Sequence, residues 1–345
     1  MVEADSEYLK WPDSYGTGYK PCPECPHGKK WAKKLEERKK RCEAFVAERN
    51  AIVEKIFPER KPHKKIYHAR SEHFTITYNC AKRAGKGMKC DEHTVGWMLL
   101  AWMEDTYDLF EDFCGVEYDD KGVPKPKLEY WDDQPRTFYL WASVDSQKKA
   151  AQALGSVNNT TSFVYKPFFC TLVEHQFSEH TDHYVVHHAF QLLLDGLEPW
   201  RDRSIPEWLI NAAGNWAEWE LFSECNIAAI GEGMTPWDIS IPFLGWPSII
   251  YKRVRSKDVI PFAELARMNI KELKGKHRVQ AFAILDYLYT VHGGKKMYKF
   301  LVRLKETKDQ FKAISDVYEL NSMELDEAWQ EWVLDYYKRY RHRKR

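Results

Sequence analysis

Several features that would assign a function at sight are missing from this chain. No apolar run approaches the roughly 20 residues of a membrane-crossing helix, so no membrane span is expected. Charge of one sign is not in excess. The 52 Lys and Arg face 51 Asp and Glu, which removes the global field that draws a protein to nucleic acid or anionic lipid. The opening stretch MVEADSEYLKWPDS lacks a basic-then-apolar signal pattern. The compartment therefore stays open between an internal protein and an exported one whose signal has been removed. Eight cysteines in 345 residues are too sparse for a small disulfide scaffold, yet more than a cytosolic protein needs. The Gly and Lys of AGKGMKC (84–90) do not follow P-loop spacing, so that mode of nucleotide binding is unsupported. No internal repeat is present.

Large aromatic side chains are abundant instead. The chain carries 14 Trp, 19 Tyr and 17 Phe within a hydrophobic fraction of 44%, enough for a substantial core and against wholesale disorder. Residues 1–65 read as an N-terminal arm: a Pro/Gly turn cluster holding Cys22 and Cys25, a charged helix, and the linker PERKPHKK. From residue 66 to 178 the pattern predicts an α/β lobe. Strands are expected at EHFTITYN, RTFYLWAS and TTSFVYKPFFCTLV, the last kinked or placed at an edge by Pro167, with a long amphipathic helix ending near Gly115 and a short helix between them. Residues 179–338 read as a helical lobe, interrupted by a loop rich in Pro, Gly and Trp from about 226 to 250, and residues 339–345 as a basic tail.

The helical lobe opens on HYVVHHAFQ (183–191). Zinc hydrolases of the HExxH type need two His one turn apart, so that both imidazoles share a helix face, with a Glu between them to take a proton from the metal-bound water. Here HHAFQ stands at that place, and IPEWLINAAGNWAEW follows it. With the preceding α/β lobe, the later phrases FAELARM and HRVQAFAILDYLYTVHGGKKMYKFL, and the final EAWQEWV, the chain resembles the gluzincin (peptidase-MA-like) zinc metallopeptidases over roughly residues 66–335. The resemblance implies a zincin-like α+β, helix-rich fold: a small mixed-sheet lobe with helices, then an all-helical lobe. It also implies a degenerate site. His187 matches the first zinc ligand, His188 stands where the catalytic Glu belongs, Gln191 where the second His belongs, and Asn211 where the third-ligand Glu belongs. Neutral amides are poor zinc ligands, so no cofactor is expected at these vestigial positions.

A shifted register remains spelled in the sequence. His183 and His187 are four apart, and Glu207 follows His183 at the same separation that divides His187 from Asn211. These three residues form an alternative zinc set, although Tyr184 occupies the general-base position and hydrolysis would lack its carboxylate. If the two helices run antiparallel, the two registers lie about 12 Å apart. Cys22 and Cys25 form a separate half-site for zinc or a local disulfide, and Cys80 and Cys90 a candidate disulfide. Free thiols are the remaining alternative. Trp237 and Trp246 are candidate loop residues for binding a ligand or partner, whereas Trp208, Trp216 and Trp219 are spaced as helix core. NNTT at 158–161 holds overlapping glycosylation sequons, or is a polar turn.

These features lead to an expected function: a pseudopeptidase acting in protein or peptide binding, with the edge strand near 161–173 as a place for strand addition. The alternatives are a zinc-dependent hydrolase using His183, His187 and Glu207, and a structural subunit of a larger complex.

Overall fold

Two segments dense in β-branched and aromatic residues, FTITY and RTFYLW, lie in the interior of a five-stranded sheet. The computed structural model describes residues 40, 43–58, 66–79, 84–85, 88–89, 92–128, 135–141, 143–154, 163–165, 169–173, 181–197, 205–225 and 245–340. The expectations for Cys22, Cys25, Cys80, Cys90, Trp237 and the sequons lie outside the described residues. The chain divides into two compact units, residues 1–104 with 134–179, and residues 105–133 with 180–345. The result is a helix-rich α+β protein with a small mixed sheet. Among the described residues no helix is long and apolar enough to cross a membrane.

The first unit begins with α1 (43–56), followed by the hairpin β1 (Tyr67–Arg70) and β2 (Phe74–Tyr78). Next come the two-residue ladder of β3 (Ala84–Gly85) with β4 (Met88–Lys89) and the start of α2 (Glu92–Phe113). The β5 (Glu117–Tyr118) and β6 (Pro124–Lys125) ladder falls in the second unit. The chain returns to the first unit with β7 (Arg136–Trp141), α3 (Val144–Ala153), and the antiparallel pair β8 (Phe163–Tyr165) and β9 (Phe169–Val173). The sheet order is β1-β2-β7-β9-β8, with β2, β7 and β9 mutually parallel and an antiparallel strand at each edge. Every residue of β2 and nearly every residue of β7 is buried. Such two-sided burial is what an inner parallel strand requires.

The structure departs from the expectations at three places. The strand expected at EHFTITYN is β2, but β1, which pairs with it in a hairpin, was not expected. Its turn, Ser71 to His73, lacks Gly or Pro and is held from afar: the His73 backbone N–H and Nδ1 meet Glu104 Oε1 and Oε2 at 3.1 and 2.7 Å. Burial raises the Glu104 carboxyl, but the hydrogen bonds from His73 outweigh it and hold the group below the usual range. The segment near 161–173 is two strands, with β8 at the edge and β9 inside. The helix assigned to an N-terminal arm belongs to the core of the first unit. Val53, Ile56 and Phe57 pack against Tyr139, Trp141, Ala150 and Ala151, and Arg49 donates to Thr77 Oγ1 while lying 5.1 Å over the Tyr139 ring.

The second unit holds α4 (Thr181–Gly196) and α5 (Glu207–Phe222), followed by α6 (Trp246–Arg255), α7 (Phe262–Leu265), α8 (Gly275–His292), α9 (Gly294–Thr307), α10 (Gln310–Tyr318) and α11 (Ser322–Tyr340). Residues 277–288 of α8 are buried on every face, the signature of a helix surrounded by others. Gly293, at φ +79°, ends α8 and begins α9. Gly294 is needed for another reason: a Cβ there would overlap the Asp112 carbonyl and Gly115. Around Phe113 cluster the rings of Phe110, Phe190, Trp216 and Tyr289.

One carboxylate sits deep in this unit. Asp286 accepts from Trp216 Nε1 at 3.3 Å, Thr290 Oγ1 at 3.1 Å and Tyr337 Oη at 2.6 Å. Burial raises its pKa, and these three donors oppose the rise without cancelling it. Asp286→Ala removes the acceptor of all three and is expected to cost about 2–4 kcal/mol of unfolding free energy. Asp286→Asn, which keeps one acceptor oxygen, is expected to cost less. Urea denaturation of both variants checks the order, and equal losses would refute it.

Candidate functional site

His183, His187 and Gln191 of α4 meet α5. The two helices run antiparallel, so each turn up α4 is matched by a turn down α5: His183 meets Glu218, His187 lies against Gly214, and Gln191 reaches Ile210. Gly214 is required by this contact, since a Cβ there would lie 2.7 Å from Cε1 and Nε2 of His187. Close approach of that kind is one of the uses of glycine inside a helix.

Glu218 is wholly buried, and its two oxygens are shared between two imidazoles. His187 Nδ1 lies 2.8 Å from Oε1 and His183 Nδ1 3.1 Å from Oε2. A carboxylate only accepts, so both nitrogens donate N–H. Burial pushes the Glu218 carboxyl up, but hydrogen bonds from His183 and His187 outweigh it, and the group is held below its ordinary value.

The remaining contacts fix every other proton. The Ile210 carbonyl can only accept, so the Gln191 end at 3.2 Å from it is the amide nitrogen. The same Nε2 lies 3.1 Å from His187 Nε2 and donates to it. Gln191 Oε1 then faces His188 Nδ1 at 2.9 Å and accepts its N–H. His188, Gln191, His187, Glu218 and His183 thus form one hydrogen-bonded chain whose donors converge on Glu218 from both sides. His188 Nε2, at its free end, is buried without a hydrogen-bond partner.

Asn211 stands one helical turn from Asn215 and faces a cation. Its Oδ1 accepts from Arg278 Nη1 at 2.6 Å, and its Nδ2 donates to the Glu207 carbonyl at 2.8 Å. Arg278 is 2% exposed, and its Nε donates to Leu273 O at 2.9 Å. Burial lowers its pKa from 12.5 to about 10, which leaves it charged at neutral pH.

The structure therefore joins His183, His187, His188 and Gln191 in one network, but through Glu218 and not through Glu207. Glu207 is exposed in the first turn of α5, eleven residues before Glu218, or about 16 Å along the helix axis. His183, His187 and Glu207 are not assembled as a trio, because the antiparallel register puts Glu207 at the opposite end of the contact. Among the described residues no group of three or more His, Cys, Asp or Glu is arranged to hold a metal ion. Trp246 is also corrected. It is not a loop residue but opens α6 after Gly245, with Pro247 in the first turn, where proline is favoured. It is 4% exposed, donates to the Cys225 carbonyl and packs on Phe282. Trp208, Trp216 and Trp219 are buried as core.

Sequence reading missed Glu218 and Arg278. A carboxylate in GNWAEWE, on a stretch otherwise buried, and an Arg within the apolar run HRVQAFAIL, were the available signals. The helix register that gives them partners is not written locally. Comparison with protein-family models and with curated proteins finds no match for the chain.

Two measurements probe the network. Glu218→Gln offers one acceptor and one donor, so it cannot accept from both histidines. His187 must keep Nδ1–H because Gln191 donates to its other nitrogen. The variant is expected to move the His183 proton to Nε2 and to cost about 1–3 kcal/mol. Imidazole ¹⁵N NMR reads the tautomers, and an unchanged His183 would contradict the assignment.

The second measurement uses pH. Burial, reinforced by the neighbouring His187 and opposed by Gln191 and Glu218, pushes His188 from 6.5 down to about 3. Between these values the unfolded chain binds a proton that the folded chain refuses. This contribution is whole above pH 6.5 and is lost as pH falls toward 3. His188→Asn keeps a donor toward Gln191 and cannot titrate. Between pH 6 and 4 its stability is expected to fall less steeply than that of the parent, by about 1.4 kcal/mol per pH unit. Parallel slopes in denaturant titrations would remove His188 from the acid response.

Proposed function

We propose that the protein is a catalytically inactive, gluzincin-like pseudopeptidase whose role is to bind a peptide or protein. The observation that carries this reading is the position of Gln191. In the family register it replaces the second zinc-ligating His, and its amide N–H is directed at His187 Nε2, the lone pair that a metal would need. Asn211, in the third-ligand place, holds a guanidinium. A site that presents an N–H and a cation where the fold family has a divalent metal does not fit that metal. His188, in the place of the catalytic Glu, is kept neutral by burial and hydrogen-bonded to Gln191, so it is not a carboxylate base poised on a metal-bound water.

Sheet topology supports the fold half of the reading. An antiparallel edge strand, then an inner parallel strand, then the histidine helix follow one another as β8, β9 and α4. Strand β8 is last in the sheet order, and an extended peptide adds to a sheet at such an edge through main-chain hydrogen bonds.

Full-length protein purified without chelators is expected to carry no zinc that depends on His187 and to leave unfolded casein uncut. One equivalent of zinc that is lost in His187→Ala, or casein cleavage that the same variant abolishes, would overturn the reading. Zinc lost only in Cys22→Ser would belong to the N-terminal cysteines and would leave the reading standing.

A further inference from the structure

We infer that Arg278 acts as a lock on the vestigial site: its buried guanidinium, bound to Asn211 Oδ1, occupies the charge position of a metal and keeps the helix pair metal-free even when protein ligands are supplied. The inference rests on the family register proposed above and goes beyond it. That register explains the missing ligands, whereas the lock is a residue outside both motif helices.

Three observations carry it. The guanidinium is not a surface group that can swing aside. It is 2% exposed, and its bonds include Nη1 on Asn211 Oδ1 at 2.6 Å and Nε on the Leu273 carbonyl at 2.9 Å. Those two bonds come from α5 and from the turn before α8, so the side chain is clamped between elements and not merely laid along its own helix. The charge is also durable. Burial brings the group only to about 10, and arginine does not discharge to accommodate a second cation. Finally, Asn211 joins this cation to the register of the site. A neutral amide oxygen accepts from the guanidinium and adds no charge. A carboxylate at 211 would form an ion pair with Arg278 inside the protein, and its oxygens would be committed to that pair.

A metal placed beside a fixed guanidinium in a poorly screened interior meets a repulsion that liganding side chains must first overcome. Restoring ligands alone is therefore insufficient. The experiment builds Gln191→His/Asn211→Glu in the full chain, with and without Arg278→Met. Zinc content is read by elemental analysis, and the ligand field by the visible absorption of added Co²⁺. The expected result is one equivalent of zinc when Arg278 is replaced, and affinity weaker by roughly a hundredfold or more when it is kept.

Equal, tight zinc binding in both backgrounds overturns the lock while leaving the register intact. Absence of zinc from both overturns the lock and the register together, so the two failures are distinguishable. If Arg278→Met does not fold, Arg278→Gln retains a neutral donor toward Asn211 and Leu273 and is judged by the same two outcomes.

Discussion

A single buried carboxylate organises the second unit. Glu218 has no solvent to stabilise its charge, and a buried ion is tolerated only where hydrogen bonds replace the lost water. Two imidazole N–H groups do so here, from successive turns of one helix. That requirement fixes which face of α4 turns to α5, and the face in turn requires Gly214 beneath the His187 ring. Gln191 and His188 then take the only orientations left to them. The helix pair is specified by polar satisfaction at least as much as by apolar packing.

The same unit contains a second buried carboxylate and a buried cation, each held by different means. Asp286 is bound by three neutral donors from Trp216, Thr290 and Tyr337. Arg278 donates to an amide oxygen and a carbonyl and feels the nearby Glu207 carboxylate. Burial pushes Asp286 up against its three donors and pushes Arg278 down against the nearby Glu207, whereas the imidazole pair brings Glu218 down against the same burial. Solvation by neutral dipoles holds a charge in place without neutralising it, so these groups keep their fields inside the unit.

Much of the fold was legible because its apolar pattern is strong. FTITY, RTFYLW, the long α2 and the helices at 181–196, 207–222 and 275–292 lie where periodicity predicts them. The errors share a cause: each feature depends on a partner far along the chain. The turn at Ser71 to His73 carries no Gly or Pro and is held by the distant Glu104. Helix α1 has too few apolar positions to reveal a core face, and Val53, Ile56 and Phe57 find theirs on β7 and α3. In the site, the pairing of His183 with His187 was visible from a four-residue spacing. Equal spacing offers Glu207 as the third ligand of the alternative zinc set and gives no sign of the carboxylate that joins the two histidines. Antiparallel packing of α4 on α5 selects Glu218 instead, and Arg278 enters from α8, outside the two helices that carry the site.

The hydrogen-bonded chain from His188 to His183, whose donors converge on Glu218, has a consequence for variation in this protein. Each member dictates the donor or acceptor that its neighbour must present, so a residue in the chain has no fitness of its own. Substitutions among His183, His187, His188, Gln191 and Glu218 will be strongly epistatic. An exchange that is damaging alone can become neutral once the next position is exchanged to match, and drift along this helix pair is expected to proceed in coupled steps, with the five side chains behaving as one heritable character.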